Sequence, residues 1–397
     1  MSNLVRLTLI SFLAYAVMSG MLAQIGILIS PISEHFGKET TVISNQFSWL
    51  TVGILVGSVI SLFIFDYVRI KTLNLLVFSA IILAIAGFYA VDLYQVNSIL
   101  LGIIGAGCGI ALPAAAIVIS RVYTPERRAT MLVITDASFS LSGTFCTALV
   151  VLYLAKGFHW SSGYSTVAVL ALITLVLSLF STFPEVPHEE RQEIRQELAS
   201  WPKGIYFCML ALLIYLTGQN FILIWLPSYA QQAISMTATD AGNLISNFWA
   251  GMLAGQLVAA AILIKANTRT ITLLAAILAA FSTIPLWLLN NPGYMPYLAF
   301  CWGFVTLGLL KLILSLATEM VKVPSPRLVS VLLMAATTGT AISPSLSSVL
   351  VAATTPDVAL KVGTGCFFMV ILLVVFAYRT ATLKSQELNP SVQDRQK

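Results

Sequence analysis

The chain has 397 residues, 58% hydrophobic and 9% charged, where ordinary soluble domains are roughly 45–50% apolar and 25% charged. A water-soluble globule is excluded. The formal charge of +5 is too small, and its lysines and arginines too scattered among short loops, to argue for nucleic acid as a partner.

Apolar runs of about 20 residues, enough to cross a hydrocarbon layer of roughly 30 Å, recur along nearly the whole sequence. Hydropathy and loop punctuation together predict twelve segments, near 7–32, 43–65, 72–91, 97–120, 130–155, 161–183, 204–226, 240–264, 270–290, 296–318, 329–352 and 360–378. All are predicted as helices, because backbone in lipid must satisfy its own hydrogen bonds and these runs are twice a barrel strand's length. A β-barrel is excluded. The first run is too long for a signal-peptide core, and its clearest small-x-small triplet, Ala14-Tyr15-Ala16, lies inside it, so a retained helix is expected.

Sorting the 21 basic residues by loop puts seventeen on the side of the termini, Lys38, Lys156 and Lys361 on the other, and Lys311 within a span. By the positive-inside rule this asymmetry predicts a multi-pass protein of the cell inner membrane with both termini cytoplasmic. The charged stretch EVPHEERQEIRQELASWPK divides the chain. The expected organisation is a six-helix bundle over 1–184, a cytoplasmic linker over 185–203, a second six-helix bundle over 204–378 and a cytoplasmic tail over 379–397. For the linker, a short surface helix held by i,i+4 Glu–Arg pairs and a solvated connector are both open.

The halves echo each other. The second span opens with Ile43-Ser44-Asn45 and carries Gly53 and Gly57; the eighth opens with Ile245-Ser246-Asn247 and carries Gly251 and Gly255. A fainter match relates ILISP at 27–31 to LIWLP at 223–227. Paired six-helix repeats are a recurring transporter plan, with the solute site near midplane between them.

Four stretches carry a family likeness: TDASFSLSG (135–143), GQNFILIWLPSYA (218–230), DAGNLISNFW (240–249) and KVPSPRLV (322–329). On these the chain resembles the major facilitator superfamily over all twelve spans, and within it the TsgA-like branch related to the fucose/proton symporters. The resemblance implies an all-α membrane fold of twelve helices in two six-helix pseudo-repeats, and alternating access. The superfamily's loop signature between spans two and three survives as Leu62-x3-Asp66-Tyr67-Val68-Arg69-Ile70-Lys71, where Asp66, Arg69 and Lys71 are expected to latch the loop to neighbouring helix ends. Fucose-type symporters place acidic proton carriers in spans one and four; this chain offers Gln24 and no carboxylate there, which argues against that proton route.

Charges at bilayer depth cost about 2.5–3.5 kcal/mol each on insertion scales and mark solute paths, relays or gates. Asp136 lies roughly 10 Å into span five, and Lys311 roughly 15 Å deep in span ten, both from the cytoplasmic end at 1.5 Å per residue. Both fall in the inner half, about one turn apart in depth. In the resembled superfamily the inner ends of spans four, five, ten and eleven close the inner gate, which implies that these helices meet. Asp136 and Lys311 are therefore expected to form a gate ion pair, made when the carrier faces outward and broken by solute or proton. A static register pair and a Lys311 that snorkels to the surface remain open alternatives.

Spans one, two, seven and eight face one another in the resembled family. There the sequence places Tyr15, Gln24, Asn45, Gln46, Gln219, Asn220, Trp225, Asn247, Trp249 and Gln256, amides and aromatics suited to a small polar or carboxylated solute. Each is equally an interhelical hydrogen bond worth about 0.6 kcal/mol. Lys311 leans the solute toward anions.

Cys108, Cys146, Cys208, Cys301 and Cys366 stand singly in apolar runs and read as small hydrophobes. His35, His159 and His188 fall in loops or at span ends. No metal site, cofactor or hydrolytic triad is expected, and the absence of GxxxxGK(S/T) argues against an ATP-driven pump. The expectation is a secondary active transporter and not an enzyme, a monomer in lipid, coupled to protons through Asp136; an uncoupled facilitator and a non-transporting sensor are the rivals.

Overall fold

The structure, a computed structural model, describes residues 2–65, 67–123, 125–184, 201–263, 267–321 and 326–387. Asp66, most of the predicted linker and the last ten residues of the tail lie outside the described residues. Those described fold into fifteen α-helices and one short 3-10 turn, with no strand among them.

The N-terminal half holds α1 (Asn3–Ala23), α2 (Ile25–Phe36), α3 (Thr40–Gln46), α4 (Ser48–Ile64), α5 (Ile70–Ala90), α6 (Tyr94–Val122), α7 (Pro125–Ala155), the 3-10 turn (Trp160–Ser162) and α8 (Gly163–Leu179). The C-terminal half holds α9 (Lys203–Ile234), α10 (Ala238–Leu263), α11 (Thr268–Leu288), α12 (Met295–Val305), α13 (Leu309–Thr318), α14 (Pro326–Ala353) and α15 (Pro356–Glu387). Each half is organised on its first helix: α1 packs on α6, α7 and α8, and α9 packs on α14 and α15. The connections place the start of α1 beside the end of α8, through Asn3 and Thr182, and the start of α11 beside α15, through Arg269 and Tyr378. This side, which carries the start of α1 and the end of α15, is called the terminal face and the opposite side the far face.

Ten helices or helix pairs among the described residues are long and apolar enough to cross a membrane. The predicted eighth and eleventh segments appear as α10, 26 residues, and α14, 28 residues, which are long enough but are not among those ten. Both carry polar residues, Asn243, Asn247 and Gln256 in α10 and seven Thr and Ser residues between Thr337 and Ser348 in α14. Both helices stand at the seam between halves, α10 against α7 and α14 against α3 and α4, where polar groups find partners instead of lipid.

The repeated glycines perform the same packing job twice. A Cβ on Gly53 would sit 2.5 Å from the Gly102 carbonyl oxygen, and one on Gly57 would collide with the backbone of Ala106, so α4 crosses α6 at backbone contact. Gly251 and Gly255 bring α10 onto the backbone of α12 at Phe300 and Phe304 in the same way. Small residues allow such approach where lipid offers no hydrophobic drive between helices.

Three predicted spans are broken. Gln24 separates α1 from α2, Phe47 separates α3 from α4, and residues 306–308 separate α12 from α13, with Leu307 at φ 48° and Gly308 at φ 68°. The last break is the strained one, because a left-handed leucine is costly and persists only where its surroundings impose it.

Candidate functional site

Helix α7 presents two faces with different duties. Ser138 and Ser142 hydroxyls donate to the Phe12 and Ala16 carbonyls at 3.0 and 2.7 Å, fixing the rotation of α7 on α1. Helical spacing then turns 136, 140, 143 and 147 toward the C-terminal half. Each meets a partner there. Asp136 Oδ1 lies 3.0 Å from Lys311 Nζ, Ser140 donates to Gln256 Oε1 at 2.9 Å, Gly143 lies under the Trp249 ring, and Thr147 bonds Ser246 at 2.7 Å. Asp136 and Lys311 side chains are 21% and 36% accessible, so neither charge is sealed in.

Lys311 reaches the seam from the first turn after the helix break. Its backbone N–H donates to the Gly308 carbonyl at 2.8 Å, and Gly308 rests against Gln256. A break in a membrane helix is tolerated only where protein or a cavity covers it, and here α10 does so. Tyr15 of α1 interacts electrostatically with both charges, and Tyr215 of α9 with Asp136. One phenol comes from the central helix of each half.

Toward the far face the halves are clasped. Ser48 and Ser345 hydroxyls are 2.6 Å apart, Ser345 donates to Asn45 Oδ1 at 2.9 Å, and Thr51 donates to the Ala341 carbonyl at 2.9 Å. Gly26 of α2 packs directly on the Ile224 carbonyl of α9, where a Cβ would be 2.9 Å away. Of these cross-half contacts, Asp136–Lys311 is the nearest to the terminal face.

The neutral residues separate into groups. Asn45 belongs to the far-face clasp. Gln46 donates to the Tyr94 carbonyl at 2.7 Å and to Ser98 at 3.1 Å, and Gln24 donates to the Gly20 carbonyl at 2.7 Å with Oε1 facing Gly163; both amides are turned into the N-terminal half. Asn220 donates to the Leu216 carbonyl of its own helix at 2.7 Å. Asn247 is half-buried on α10. Trp249 stands at the seam, 5.6 Å from the Phe139 ring. Gln219 Oε1, Trp225 Nε1 and Trp249 Nε1 are buried polar atoms without a protein partner.

At the loop between α4 and α5, Lys71 donates to the Leu179 and Ser181 carbonyls at 2.9 and 3.0 Å, capping the end of α8. Arg69 is exposed at the N-cap of α5. Their expected companion Asp66 lies outside the described residues. A small cavity lies inside the N-terminal half, away from the charged pair, lined in part by Gln46, Asn97, Trp160 and Tyr164.

Ser140, Ser345 and the Leu307–Gly308 break were not singled out from the sequence. The i,i+4 spacing of Asp136 and Ser140 within TDASFSLSG is a signal that could have found the first.

A seam between two helical halves, crossed by an accessible charged pair within membrane helices, is an arrangement suited to membrane transport. The chain belongs to the major facilitator superfamily: the sequence profile described as Major Facilitator Superfamily matches residues 7–326. It is 29% identical over 376 residues to a protein TsgA homolog of Yersinia pestis (strain Pestoides F), covering 94% of this chain and 95% of that one. A protein TsgA homolog of Yersinia pseudotuberculosis serotype IB (strain PB1/+) matches equally, at 29% identity over 94% and 95% of the two chains. Among solved structures, a D-xylose-proton symporter superposes with TM-score 0.75 over 96% of this chain and 98% of its own, at 14% identity. A nucleoside transporter, NupG, gives 0.72 over 95% and 100%, at 12% identity. The superpositions share a fold; at these identities they carry no residue roles.

Proposed function

We propose that the chain is a secondary active transporter of the inner membrane that moves a small polar or anionic solute by alternating access, coupled to protons at Asp136. Twelve spans form two six-helix bundles, 1–184 and 204–378, joined by a cytoplasmic linker at 185–203 and followed by a cytoplasmic tail at 379–397. The single observation that supports this most is the Asp136–Lys311 contact of 3.0 Å between the halves, with both side chains partly accessible.

The basic residues crowd the terminal face, which this reading makes cytoplasmic. The far face is then the outer face, and its clasp shuts the path to the outside while the ion pair is intact. This differs from the expectation that the pair belongs to the outward-facing state. The pair acts instead as the inner edge of the closed seam, met first by a solute or proton arriving from the cytoplasmic side. A proton on Asp136 or an anion at Lys311 replaces the lost partner, so separating the halves no longer strands a charge. Opening is thereby tied to ligand.

The solute lies along the seam beside Trp249, whose unpartnered indole N–H supplies a donor, with Gln219 and Trp225 of α9 contributing further polar atoms. The aromatic ring of Trp249 suits stacking on a sugar-like or planar metabolite. Protein TsgA homologs and proton symporters are the relatives and fold neighbours that accompany this reading.

The test is reconstitution into liposomes loaded with a pH-sensitive dye and challenged with a panel of sugars, carboxylates and nucleosides. A solute moved by the intact protein is expected to lose coupled proton movement, by at least tenfold, in Asp136→Asn and in Lys311→Gln at equal protein levels. Undiminished coupled transport in both variants removes the mechanism.

A further inference from the structure

The far face of the N-terminal half gathers three side chains that the seam does not use. His35 is in the last turn of α2, Asp92 lies in the connection between α5 and α6, and His159 precedes the 3-10 turn. One potential ligand atom from each lies within 4.8 Å of the other two. His35 Nε2 is 2.7 Å from Asp92 Oδ2, and the His35 and His159 rings meet edge to face at 4.7 Å between centroids. Ser161 Oγ holds His159 Nδ1 at 2.8 Å. Aromatic rings form the floor: Phe36 is 4.7 Å from His35, Trp160 is 5.2 Å from His159, and Phe88 backs Trp160 at 5.6 Å.

We propose that His35, Asp92 and His159 bind a divalent transition-metal ion, zinc foremost, which ties together three far-face connections of the N-terminal half. Two imidazoles and a carboxylate are a borderline-soft donor set that suits zinc and disfavours calcium and magnesium, which take oxygen ligands. A tetrahedral ion with bonds of about 2.0–2.1 Å needs its donors about 3.3 Å apart. That spacing lies between the 2.7 Å of the closest pair and the 4.8 Å limit of the group, so small side-chain rotations seat the ion. The exposure of all three residues leaves the fourth position to water. Ser161 is the outer-shell partner: its hydroxyl lies 2.8 Å from His159 Nδ1, which also accepts the Ser161 backbone N–H at 3.5 Å, so the ring is held in place. The apolar floor shields one side of the ion from water.

The same contacts without a metal would be an ordinary His35–Asp92 hydrogen bond with His159 stacked beside it. Two imidazoles approaching one carboxylate from separate connections favour the metal. A bound ion would also fix the end of α2, the helix whose Gly26 packs on α9 in the far-face clasp.

The experiment uses the full chain in detergent without a polyhistidine tag, stripped with EDTA and titrated with zinc by calorimetry and by thermal unfolding. The expected result is one zinc per chain and a rise in unfolding temperature that Mg2+ and Ca2+ do not reproduce. Cobalt is expected to give the visible absorption of a four-coordinate site. His159→Ala and Asp92→Ala should lose zinc binding while unfolding at the wild-type temperature without metal, and Ser161→Ala should weaken it about tenfold through the outer shell. Asp92→Asn, which keeps the side-chain shape, should weaken binding more than Ser161→Ala does. No zinc uptake, or uptake that survives replacement of both His35 and His159, overturns the proposal.

Discussion

A carboxylate and an ammonium that face each other inside membrane helices satisfy one another, but each remains open to a competitor, since 21% of the Asp136 side chain and 36% of the Lys311 side chain are accessible. If the pair's role is charge balance, its polarity is interchangeable to first order. The double variant Asp136→Lys with Lys311→Asp is expected to recover part of the transport that either single reversal abolishes, with uptake in liposomes as the readout. A pair whose role depends on the Asp136 carboxylate sitting on α7 as the proton acceptor recovers solute binding but not proton movement. Ser140 provides the contrast. Its hydroxyl bonds neutral Gln256 beside the pair, and a membrane hydrogen bond is worth about 0.6 kcal/mol. Ser140→Ala is expected to keep transport within about threefold of wild type. The charges were legible in the sequence because Asp and Lys stand out in apolar runs. Gln24 and Gln46 were not separable from Gln256, because an amide's job depends on which way its helix is turned.

At the scale of elements, hydropathy located the helices but not their ends. The predicted first segment, 7–32, is part of a helical stretch running from Asn3 to Phe36, and the predicted 360–378 lies within Pro356–Glu387. Hydropathy reports the solvent, whereas the backbone continues its helix into water beyond it. The breaks at Gln24, Phe47 and 306–308 were equally silent, since an apolar run reads alike whether it is continuous or kinked. The glycine echo was legible, and its packing reason is backbone contact. Gly57→Val and Gly255→Val should each destabilise their half through overpacking, by about 1–3 kcal/mol or more, and lower the unfolding temperature in detergent. Gly365, which has open space where a Cβ would go, is the control, and Gly365→Ala should hold or raise stability, by up to about 1 kcal/mol. Leu307 at φ 48° makes the opposite case. Leu307→Gly relieves a strain of about 1–2 kcal/mol but empties a buried core site, which costs about 2–5 kcal/mol, so the expected outcome is a net fall in unfolding temperature in detergent; a rise would mean that the strain outweighs the packing.

Across the whole molecule, the contacts between halves are polar and short at the far face and end in an exchangeable ion pair nearer the termini. None of the far-face clasp was legible as such. Ser48, Thr51 and Ser345 lie 290 or more residues from their partners, and a serine in a membrane helix is unremarkable until its neighbour is known. An alternating carrier must open this clasp once per cycle, so locking it should stop transport without unfolding anything. The Ser48 and Ser345 hydroxyls are close enough, at 2.6 Å, for a disulfide to replace them. In a chain carrying Ser48→Cys, Ser345→Cys and Cys301→Ser, the last removing the exposed thiol, oxidation is expected to reduce transport at least tenfold and reduction to restore it. Probes reaching Lys311 from the terminal side should react as before, because the lock holds the far side only. Full transport by the oxidised protein would mean that the halves do not part at Ser48–Ser345, and the moving seam would have to be sought elsewhere.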